Sequence, residues 1–123
     1  MIRTMTALGG SLLLASLAPG AALAQGMQDF ALVNATGYQI SQVFVAPSKS
    51  EDWEEDVLGQ DVLDDGETVN IRFAARTRTC NYDLKVIYED GDEAEWRKFD
   101  LCTVSRITIH WNRKEGTTWA DYE

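Results

Sequence analysis

Apolar residues recur with a period of two along most of this chain, and that spacing commits it to strands. In Thr68-Val69-Asn70-Ile71-Arg72-Phe73 the side chains of Val69, Ile71 and Phe73 fall on one face. Tyr82, Leu84, Val86 and Tyr88 alternate with Asp83, Lys85 and Glu89, and Ile107, Ile109 and Trp111 alternate in the same way. Phe30–Val33 and Tyr38–Val45 are less regular but apolar enough to be strands, with Asn34-Ala35-Thr36-Gly37 as the turn between them. Glu93–Phe99 completes the set, joined to the strand before it by the hairpin signal Glu89-Asp90-Gly91-Asp92. Short strands with frequent turns predict an all-β fold, a small β-sandwich of about six or seven antiparallel strands.

One segment departs from this period. Ser48 to Gly59 predicts a short helix: Ser48 and Glu51 form a capping box, acids crowd the first turns, and Gly59 closes the end. Trp53, Val57 and Leu58 would share the face that packs on the sheet.

Residues 1–24 have the composition of a secretory signal peptide. Arg3 precedes an apolar stretch from Leu8 to Ala18, Pro19-Gly20 break it, and Ala22-Leu23-Ala24 offers a cleavage site before Gln25. Gly9-Gly10 and Pro19-Gly20 leave the stretch short of the roughly 20 apolar residues a membrane span needs. The expectation is a periplasmic or secreted bacterial protein cleaved after Ala24, with no membrane anchor afterwards. Residues 25–111 then form the sandwich domain, and 112–123 a polar C-terminal tail in which Trp119 is the one large apolar side chain.

A domain of that size buries a modest core and gains from a covalent staple. Cys80 and Cys102, in a chain bound for an oxidising compartment, predict a disulfide. The alternative, a redox-active pair, ordinarily has C-x-x-C spacing, which is absent. Pairing centred on Gly91 sets Cys80 opposite Cys102 and Val86 opposite Trp96. It also turns Phe99 and Leu101 outward, which a bulge near Lys98 would repair.

Charge narrows the function. Eleven basic against 20 acidic residues give a net charge of -9, which opposes binding to nucleic acid or to anionic lipid. With one His and two Cys, a structural zinc site is excluded. The acids fall in two groups. Asp61, Asp64, Asp65, Asp90 and Asp92, brought to one end of a sandwich, would supply oxygens for calcium. The alternative assigns them to solubility and capping, since no EF-hand spacing exists. No carboxylate pair stands out for glycoside hydrolysis. Any Ser-His or Cys-His mechanism must use His110, which falls on the outer face if Ile109 is core. Arg72, Arg76 and Arg78, interleaved with Thr77 and Thr79, suit a phosphate or carboxylate, or else the chain's own acids. Asn34-Ala35-Thr36 fits a glycosylation acceptor, but in a bacterial protein it reads as a turn.

Asn34-Ala35-Thr36-Gly37-Tyr38-Gln39-Ile40, Asp52-Trp53 with Asp56-Val57-Leu58-Gly59, Leu63-Asp64-Asp65-Gly66, Cys80-Asn81-Tyr82-Asp83-Leu84, Asp90-Gly91 and Leu101-Cys102 form a distinctive set. In these residues, which run through most of 30–111, the chain resembles a group of small exported bacterial proteins of uncharacterised function. Proteins of this kind are sometimes labelled argininosuccinate lyases, a large helical enzyme that a chain this short and β-rich cannot build. The resemblance implies no activity. The expectation is a non-enzymatic, monomeric binding domain for a protein or small-molecule ligand, with Asp52, Trp53, Asp56 and Asp61 as the candidate surface. A calcium-binding module is the alternative, and a small hydrolase the remote one.

Overall fold

A computed structural model describes residues 28–74 and 77–123; the expected signal peptide, with its expected cleavage after Ala24, and Arg76 lie outside the described residues. Seven strands follow in order: β1 (Phe30–Asn34), β2 (Ile40–Pro47), β3 (Thr68–Ile71), β4 (Asn81–Tyr88), β5 (Glu93–Asp100), β6 (Arg106–Asn112) and β7 (Thr117–Tyr122). They make two sheets, β3-β1-β6-β7 and β2-β4-β5. One core lies between them. Leu32, Ile71, Ile107 and Ile109 from the first sheet meet Val43, Leu84, Val86 and Tyr88 from the second. These are the residues that the period of two assigns inward, because alternate side chains of a strand leave opposite faces. Cys80 and Cys102 are bonded, tying the start of β4 to the turn after β5.

Four expectations are corrected. The first concerns pairing direction: β1 runs parallel to β6, with Leu32 beside Ile107, so the strands are not all antiparallel. The turn after Asn34 carries the chain across to the other sheet, and β6 fills the place that a hairpin partner would take. Second, 112–123 is no tail. Gly116, at φ 71°, closes a turn in which its N–H donates to the Asn112 carbonyl at 2.8 Å, and β7 pairs with β6.

Third, the hairpin centres on Asp90, not Gly91: Val86 pairs with Ala94, and Trp96 with Leu84. Two residues, Arg97 and Lys98, then oppose the single Asp83. This bulge, with Lys98 at φ 60°, shifts the later register and turns Phe99 into the core. The sequence places the bulge correctly and the partners before it two residues off.

Fourth, Ser48–Gly59 forms bends and turns and no helix. Its polar groups have better partners across the fold. The Val57 N–H donates to the Val43 carbonyl at 2.8 Å, and Asp56 Oδ1 accepts from the N–H groups of Val43 at 2.9 Å and Leu58 at 3.0 Å. The segment therefore completes the open edge of β2. A twelve-residue helix is marginal in isolation and does not compete with that. Leu58 enters the core, Val57 is exposed, and Trp53 is half-buried, so the three do not share a face.

Candidate functional site

Where the edge of β2 faces the edge of β3, the sheets leave a cleft of about 750 Å³. Val45, Ile71 and Phe73 form its floor, and Trp53, Glu54, Glu55, Val57 and Arg72 its walls. Phe73 belongs to an aromatic cluster, 4.9 Å from Tyr82 and 6.4 Å from Phe30 between ring centroids. The Tyr82 phenol is held above its ordinary pKa, first by burial and then by the nearby Glu54 charge. An apolar floor with a few polar groups at the rim is the usual composition of a small-ligand site. Glu54 and Glu55 are the acidic groups of the lining and Arg72 its one cation.

Trp53 is positioned from behind by cations. The Lys85 ammonium lies 5.3 Å from both the Trp53 and the Phe44 ring centroids, and the Arg97 guanidinium 5.6 Å from Trp53. Arg97 is itself fixed, donating to Asp83 Oδ2 at 2.8 Å and to Glu95. Asp83 points away from the core yet is 4% exposed. Its Oδ1 accepts from the Ser48 hydroxyl at 2.7 Å and the Lys98 N–H at 2.9 Å. Burial pushes this carboxyl up, but the Lys98, Ser48 and Arg97 donors outweigh burial and hold it below the usual carboxylate value. The sequence marks Trp53; it gives no sign of Lys85, Arg97 or the cleft floor, which come from four separate elements.

The other expected site residues divide. Asp52 is exposed beside a small depression near Asp83 and Arg97. Asp56 is spent on the backbone of β2, and Asp61 stands free in solvent. The two acidic loops do reach one end of the molecule, with Tyr38 and Gln39 between them. Asp64 accepts from the Gln39 amide at 2.7 Å and Asp65 from the Gly37 N–H at 2.7 Å. Asp90 meets Arg113 at 3.0 Å, and Asp92 lies 4.0 Å from the same guanidinium. Arg113 in turn covers the Tyr38 ring at 3.9 Å. Among the described residues, Asp61, Asp64, Asp65, Asp90 and Asp92 provide no group of three carboxylates close enough to share an ion. The one such trio is Cys80, Cys102 and Asp100, whose sulfurs are already bonded to each other.

His110 lies on the outer face of β6, stacked on Trp119 with centroids 4.9 Å apart. Its Nε2 meets Asp121 Oδ2 at 2.9 Å rather than a hydroxyl or thiol. Asn34 is fully buried. Its amide donates to the carbonyls of Tyr38 at 2.8 Å and Leu63 at 3.0 Å, and its Oδ1 accepts from the Thr36 hydroxyl at 2.6 Å. Gly66 completes the knot, its N–H reaching the Asn34 carbonyl. The residues that carry the resemblance therefore work as fasteners between turns. No family model, curated protein or solved structure matches this chain.

Proposed function

We propose that this protein is an exported, non-enzymatic binding domain built as a small β-sandwich, acting as a monomer in the periplasm or outside the cell. The Cys80–Cys102 disulfide is compatible with that oxidising location. The observation that carries the reading is the cleft beside Trp53, whose floor leaves apolar core residues open to a ligand between two sheet edges. Glu54 and Glu55 on its rim, in a chain with a net charge of -9, favour a ligand with an apolar body and a positive group. Trp53 supplies a rigid aromatic wall that needs little ordering on binding.

Val57 is the best position for a test, because it lines the cleft and is 41% exposed. Val57→Arg should fill the cleft and leave the melting temperature unchanged. Small cationic amphiphiles and peptides, titrated into isotope-labelled protein, should shift backbone amides of 53–57 and 71–74 in the wild type and not in the variant. Equal binding by both proteins, or shifts confined to other faces, would remove the cleft as the site.

A further inference from the structure

A second concavity, of about 690 Å³, opens at the disulfide, away from the cleft beside Trp53. Lys49, Arg78 and Lys98 line it together with Ser48, Thr79 and Asn81, and no acid does. In a chain with 20 acidic and 11 basic residues, three cations lining one concavity need a reason, although Asp83 holds Ser48 and the Lys98 N–H from outside that lining and Asp100 lies beside the disulfide. Among the described residues Lys85, Arg97 and Arg113 lie in ion pairs. Lys49, Arg78 and Lys98 do not, and neither do Arg72, Arg106 and Lys114, but only the first three line one concavity. Self-neutralisation, the ordinary fate of a basic cluster in an acidic protein, is thus absent here.

The three cations come from distant parts of the chain, and buried polar side chains fix each position. Gln28 is buried, and its amide donates to the carbonyls of Thr77 and Thr79 at 2.9 Å each, clamping the backbone on both sides of Arg78. Asp83 holds Ser48, next to Lys49, and the Lys98 N–H. Lys98 itself is the one non-glycine with positive φ among the described residues, at 60°. Glycine would occupy that conformation with less strain, yet the position carries a cation that lines the concavity.

We propose that this concavity is a binding site for a phosphoryl oxyanion. A phosphoryl group has several oxygens that accept from different directions, which suits three cations lining one concavity better than a single carboxylate does. Thr79 and Asn81 add neutral donors at the rim. The volume leaves room for an organic group attached to the phosphate. The site is independent of the cleft beside Trp53 and of any ligand bound there.

The test uses the disulfide-bonded chain, isotope-labelled, titrated with pyrophosphate at constant ionic strength. Saturable shifts at 48–49, 78–81 and 98 are expected. Lys49→Ala and Arg78→Ala should each weaken binding about tenfold or more. Lys114→Ala, beyond the other end of β4, should not. Lys98→Gly gives a separate readout: its thermal midpoint should rise while its affinity falls. Shifts that never saturate, or equal weakening by Lys114→Ala, would reduce the effect to general counterion attraction and overturn the proposal. So would full affinity in the Lys49, Arg78 and Lys98 variants together. Cosedimentation with phosphatidylcholine vesicles, with and without phosphatidylglycerol, then identifies the source of the phosphoryl group. Sedimentation that requires phosphatidylglycerol and is lost in the same variants assigns it to a lipid headgroup, and pyrophosphate binding without it assigns a soluble ligand.

Discussion

Asp83 shows how much one side chain settles. It joins the segment after β2, the bulge in β5 and the guanidinium behind Trp53. Its carboxyl titrates below the usual value in the folded protein, so its ionised form stabilises the fold above pH ~4. That contribution disappears as the pH falls through the depressed folded value. Asp83→Asn keeps an acceptor for Ser48 and Lys98 but loses the charge facing Arg97, at a cost of about 1–3 kcal/mol at neutral pH. Urea denaturation across a pH series should show the gap between wild type and variant closing in acid. A gap that is constant with pH would mean that the charge contributes nothing. The alternation along β4 correctly turns Asp83 away from the core. It cannot reveal that another segment covers that outer position, just as the Asn34 turn is visible and the burial of its amide is not.

The strands are legible in the sequence, but of their pairings only the β4–β5 hairpin is. Six of the seven are legible, three from clean alternation and the others from apolar content or the hairpin turn, because the period records only which face each residue takes. β7 escaped since an edge strand needs few apolar residues, and Thr118 and Ala120 are its inward pair. The segment before Gly59 has helix-like capping, yet its Asp56 is worth more as an acceptor for the edge of β2. Asp56→Ala should therefore release that segment. Hydrogen exchange at Val43 and Leu58 should speed up, stability should drop by about 1–2 kcal/mol, and the bared edge should promote self-association. Unchanged exchange at Val43 would show that the edge is protected by other means. The cleft was illegible for a related reason: its walls are the margins of two different sheets, and no local pattern encodes their meeting.

For the molecule as a whole, two sheets close over a core assembled from every strand but β7, with β3 contributing Ile71 and β7 only Ala120 at the margin. Such a core is small, and the bond between Cys80 and Cys102 supplements it by restricting the unfolded chain across a separation of 22 residues. Replacing both cysteines by serine should cost about 3 kcal/mol. Equilibrium unfolding in urea measures this directly, and no loss would mean that the core suffices alone. The parallel pairing of β1 with β6 has a consequence for folding. Ala31 and its neighbour Arg106 are far apart in sequence, so the central seam of the larger sheet is a long-range contact. The larger sheet therefore closes slowly, because the long loop between its two middle strands must be ordered before their contacts reward it.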